Sequence, residues 1–163
     1  MNEQPMRYGP PSNFCAACLC MGIALMSTAF VRGDSPSASD FQLTEQQAER
    51  LFALKVGPLL KAKCLACHGE DANEIEGEFD VRTRDGLLQG GESGEAALVA
   101  GKPEESLLFR AINWDEYEMP PKENDRLTPA QVELVRQWIA AGAPWPDEKR
   151  QTELRQAEWN VAE

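Results

Sequence analysis

The chain has 163 residues, enough for one domain with accessory segments and too few for two ordinary ones. Hydrophobic residues make up 42% of it, which supports a real core. With 27 acidic side chains against 16 basic ones, a net charge of −11, the chain is no nucleic-acid binder, because phosphate contacts need clustered Lys and Arg.

Residues 1–11 are polar, and residues 14–31 carry no charge at all before a polar stretch rich in Ser and Ala begins. Residues 1–38 therefore read as an export segment with a short linker: a signal peptide cleaved after Ala29 or after Gly33, or an uncleaved membrane anchor. A run of about 17 to 25 apolar residues is long enough for either. Cys18 has too little of the apolar run before it to be a lipidation site, and Cys15-x-x-Cys18 is followed by Leu19. The folded body takes residues 39–146. Thr44-Glu45-Gln46-Gln47 has the form of a capping box, and Ala48, Leu51, Phe52 and Val56 follow at helical spacing. Gly57-Pro58 interrupts the pattern and Pro58 restarts it, so that the last turn is delivered to Cys64. From Gly69 to Lys102, glycines and acids predict a long loop region with short local structure, the kind of stretch that wraps around something. Pro103 opens a short helix through Leu107, Leu108, Ala111 and Ile112. The clearest helix is last: Thr128 as N-cap, Pro129 at its first position, Gln131 completing a capping box, and Gly142 ending it before Pro144. Val132, Val135, Trp138 and Ile139 form its apolar stripe, and Trp138 should pack this helix on the first one through Phe52. Residues 147–163 are charged and read as a solvated helix or a linker.

The chemistry concentrates at Cys64-Leu65-Ala66-Cys67-His68. These are the only cysteines outside the leader, and His68 is the only histidine of the chain. Random placement would produce this match roughly once in a thousand shuffles. Two thiols three residues apart on a helical turn are spaced to form thioethers with the two vinyl groups of a haem, and the adjacent imidazole falls where it ligates the iron. A redox dithiol would want a strand before the motif, and a closed zinc site would want four Cys or His ligands. Neither is available here. For the second axial position no other histidine exists, which leaves Lys, Tyr or Met. Met119 is the one methionine beyond His68, fifty-one residues on, and Pro120 and Pro121 stiffen the chain behind it. Arg82 and Arg84 stand in an acidic surrounding, where each is either a solvated surface charge or a partner for a haem propionate.

Several segments together resemble the cytochrome c domain of planctomycete proteins, a class I cytochrome c-like module. They are Val56-Gly-Pro-Leu-Leu, Cys64-Leu-Ala-Cys-His-Gly69, Leu87-Leu-Gln-Gly-Gly-Glu-Ser-Gly94, Gly101-Lys-Pro-Glu-Glu-Ser-Leu-Leu108, Met119-Pro-Pro, Leu127-Thr-Pro-Ala-Gln and Trp138-Ile-Ala-Ala-Gly-Ala-Pro-Trp145. The resemblance spans about residues 46 to 146 and departs at Ala100, where proline is usual. It implies thioethers at Cys64 and Cys67, His68 as proximal ligand and Met119 as distal ligand of a single covalent haem c. The expected fold is all-α, a bundle of about three main helices around the haem with a long Gly-rich loop region. The expected function is one-electron transfer in the periplasm or another exported space, by a carrier and not an enzyme. Two alternatives stand beside it: a haem module of a larger exported enzyme, and a five-coordinate sensor haem if Met119 does not ligate. Between Gly69 and Met119 there are fourteen acidic and four basic residues, a local net of −10, so the redox partner should present a basic surface.

Overall fold

The computed structural model describes residues 42–71 and 73–161. The apolar run at residues 14–31, with its leader or anchor reading, lies outside them. Among the described residues there are helices and no strands, as the all-α expectation has it.

Thr44 caps α1 (Glu45–Leu51). Its hydroxyl accepts from the Gln47 N–H at 3.3 Å while the Gln47 side chain accepts from the Thr44 N–H at 2.8 Å. The helix does not stop at Gly57-Pro58. It widens into a π-helical stretch, Phe52–Val56, in which the Gly57 N–H reaches the Phe52 carbonyl, and it runs on as α2 (Gly57–Lys63). The expected interruption is thus a change of winding, with Pro58, which has no N–H to donate, directly after the π-helical stretch. Cys64, at φ −121°, breaks the path, and α3 (Leu65–His68) follows as a single turn.

The long loop region holds a 3-10 turn, Glu76–Glu78, and one helix that no apolar period had announced, α4 (Arg84–Gln89). Thr83 starts α4 by accepting from the Gly86 N–H at 3.0 Å. Gly90 and Gly91 then let the chain pass tightly. Gly90 has φ +78°, and a Cβ on Gly91 would lie 2.3 Å from the Gly77 carbonyl oxygen. The helix expected from Pro103 is two pieces: a 3-10 turn, Pro103–Glu105, and α5 (Leu107–Asn113), separated by Ser106 in extended backbone. Ser106 is fully buried because its hydroxyl serves the preceding loop. It accepts from the Val99 N–H at 2.9 Å and donates to the Lys102 carbonyl at 2.9 Å.

A further 3-10 turn, Glu123–Asp125, leads to α6 (Pro129–Ala140), with both halves of the Thr128–Gln131 capping box formed. Trp138 is fully buried in its last turn, 5.5 Å from the Phe52 ring, and its indole N–H donates to the Pro144 carbonyl at 2.9 Å. Trp145 packs on Phe52 at 4.3 Å and lies 6.4 Å from Trp138, so the three rings form one cluster. The charged C-terminal segment is a helix, α7 (Glu148–Val161). It buries Leu154 and ties itself to α1 through Arg150–Glu49 at 3.1 Å and through Arg50–Glu158. Among the described residues no helix is long and apolar enough to cross a membrane.

Candidate functional site

Where α3, the glycine-bearing loops and α5 face one another they leave a cavity of about 670 Å³. That falls in the range of roughly 300–1,000 Å³ typical of organic-ligand sites. Cys64, Cys67 and His68 line it from α3, Gly77, Phe79 and Gly91 from the loops, Leu107, Leu108, Ala111 and Ile112 from α5, and Met119, Pro120 and Pro121 from the segment after α5. All four residues singled out in the sequence therefore border one space.

The short helix α3 explains the placement of three of them. The Cys67 and His68 N–H groups both donate to the Cys64 carbonyl, at 3.3 and 3.0 Å, so the motif closes as one turn. The His68 ring is held on two sides. Its Nδ1 lies 2.9 Å from the Glu76 carbonyl, and the Phe79 ring meets it edge-on at 5.3 Å. A carbonyl only accepts, so Nδ1 carries the proton and Nε2 keeps its lone pair free for a metal. The His68 carbonyl in turn accepts from the Val81 N–H at 2.9 Å, which fixes the loop that carries Phe79.

Both cysteines are free thiols. Burial, with Cys67 next to it, pushes the Cys64 thiol up to about 11. Cys67 is also raised, by burial first and then by the Glu76 carboxylate. A catalytic dithiol needs the opposite, a thiol lowered by nearby positive charge, and zinc needs thiolates. Among the described residues no group of three or more His, Cys, Asp and Glu is placed to hold a metal ion.

Met119 is fixed through its backbone. Its N–H donates to the Ala111 carbonyl at 3.2 Å, and its carbonyl accepts from the Trp114 indole N–H at 3.2 Å. Neither arginine borders the cavity. Arg82 pairs with Asp80 at 2.7 Å, and Arg84 donates to the Ala143 and Gly142 carbonyls, at 3.0 and 3.3 Å, where α6 ends. Arg84 thus caps the end of α6 and is not a freely solvated charge. Sequence reading did not find Glu76, Phe79 or Trp114. Phe79 as a lone aromatic in an acidic loop, and Trp114 five residues before Met119, were the available signals.

The residues present fit a covalently held haem: two protonated thiols on one turn, an imidazole with its distal nitrogen free, a thioether side chain, and mostly apolar walls. No curated protein and no solved structure matches the chain. Residues 64–123 match the model of a family described as planctomycete cytochrome C. That stretch contains every cavity-lining residue except Lys63, so the segment that builds this site is similar to the planctomycete cytochrome C family.

Proposed function

We propose that the chain is an exported c-type cytochrome holding one haem c, with His68 and Met119 as axial ligands, and that it carries single electrons without turning over a substrate. The observation that carries this reading is the His68 ring, whose Nδ1 is tied to the Glu76 carbonyl beside two free thiols in a cavity that Met119 also lines. When bound, haem supplies an iron centre that gains or loses one electron. The chain does the rest. Cys64 and Cys67 provide the sulfurs of two thioether bonds. His68, its proton held at Nδ1, presents Nε2 as proximal donor in a fixed ring orientation. Met119 provides a thioether sulfur, a distal donor that raises the potential. Leu107, Leu108, Ala111 and Ile112 keep water from the site and lower its dielectric. Glu76 and Glu92, both exposed cavity-lining acids, give its mouth a negative field suited to a basic partner protein.

The test is covalency. Protein expressed with its own N-terminal segment and a haem-attachment system should keep haem-dependent peroxidase staining on its band after denaturing electrophoresis. Cys64→Ser or Cys67→Ser should leave at most one thioether, read as a shifted pyridine haemochrome spectrum. Release of all haem by acid–acetone would sink the proposal.

A further inference from the structure

We propose that Trp114 is a positioning residue for the distal ligand: its indole N–H, clamped under Arg126, holds Met119 in the cavity wall. This rests on the reading of Met119 as an iron ligand. Between α5 and Met119 the chain makes an excursion in which Asp115, Glu116, Tyr117 and Glu118 are all exposed, so packing does not fix it. Polar ties do. The Ala111 carbonyl takes the Met119 N–H at 3.2 Å, and the Trp114 indole takes up the Met119 carbonyl at 3.2 Å. Pro120 and Pro121 bring no N–H of their own to that turn, so a side-chain donor is what the carbonyl needs.

Trp114 is held for this task at some cost. It ends α5 in the left-handed region, at φ +64°, a conformation that disfavours a bulky side chain and persists only where the surroundings over-determine it. Arg126 supplies that constraint from the other side of Met119. Its guanidinium lies 4.5 Å from the centre of the Trp114 ring, and it also donates to the Asn113 carbonyl at 3.3 Å. The ligand segment is thereby closed at both ends, by Trp114 before Met119 and Arg126 after it. Trp114 is not among the cavity-lining residues, so it acts only through Met119.

The experiment uses the haem-loaded protein and compares wild type, Trp114→Phe and Met119→Ala. Trp114→Phe keeps a ring under Arg126 and removes the N–H. Losing one neutral hydrogen bond shifts an equilibrium by roughly two- to tenfold. The state with Met119 detached should therefore be populated that much more, and carbon monoxide affinity of the reduced protein should rise by the same factor. The near-infrared sulfur–iron band of the oxidised protein should fade at a lower temperature than in wild type, while the helical circular dichroism melts as before. A merely structural role would move the two together. If Trp114→Phe binds carbon monoxide like wild type while Met119→Ala binds it far more tightly, the positioning role is overturned and the ligand assignment stands. If wild type lacks the band and binds carbon monoxide as Met119→Ala does, the ligand assignment fails and takes this proposal with it. Should Trp114→Phe not accumulate, Arg126→Gln, which uncovers the indole without removing it, must raise carbon monoxide affinity too, or the clamp is refuted.

Discussion

Met119 is the residue on which carrier and sensor diverge, because it is the one sulfur beyond the Cys-x-x-Cys-His motif and it borders the same cavity as His68. Met119→Ala should erase the near-infrared band, lower the reduction potential and open the iron to carbon monoxide. Wild-type protein that already binds carbon monoxide readily would favour the sensor alternative. At this scale much was legible in the sequence, for a local reason. Cys64, Cys67 and His68 sit on one turn, and Met119 is the one methionine beyond them, so singling them out did not need the fold, although Lys63 and Tyr117 border the same cavity. The supporting residues were illegible because each acts through the chain folding back. Glu76 serves His68 with a backbone carbonyl, which any residue type has. Arg84 reached the α6 terminus 59 positions away, a distance no spacing rule covers.

Elements followed the same logic. The helices α1 and α6 could be read because their capping boxes, Thr44 with Gln47 and Thr128 with Gln131, are written within four residues. The break inside the expected Pro103 helix could not, because it depends on where the Ser106 hydroxyl goes. Ser106 is buried and satisfies the Val99 N–H while donating to the Lys102 carbonyl, which pins the loop carrying the core residues Ala97 and Leu98 against α5. Ser106→Ala leaves the half-buried Val99 N–H without its partner, so the haem-loaded protein should lose about 1 kcal/mol of stability. The measurement is the urea midpoint, with an unchanged slope showing that the native state stays compact. A midpoint equal to that of wild type would mean that water or a shifted loop replaces the hydroxyl. The haem spectrum should be unaffected, since Ser106 does not border the cavity.

At the scale of the whole molecule the governing quantity is charge. Residues 69–119 carry a net −10, and the structure shows how little of their positive charge is left free. Arg82 is paired with Asp80, Lys102 with Glu105, and Arg110 with both Glu95 and Glu116, while Arg84 is spent on carbonyls at the end of α6. Glu76 and Glu92 border the cavity itself, and Glu118 is exposed one residue before Met119. An electron leaving the site must do so where a partner comes close, and short-lived redox encounters use small interfaces steered by complementary charge. The partner should therefore be basic, and the rate should depend on salt, because the Debye length shrinks to about 10 Å at 0.1 M. The competing account is that these acids only keep the protein soluble. Electron exchange with a basic and an acidic small cytochrome across a salt series separates the two. Steering predicts a faster reaction with the basic partner at low salt, a lead that disappears as salt rises. Glu92→Gln, which removes one charge at the cavity, should reduce that lead at low salt and leave the rate at high salt unchanged. Rates that are equal for both partners and flat in salt would leave solubility as the explanation for the acidic surface.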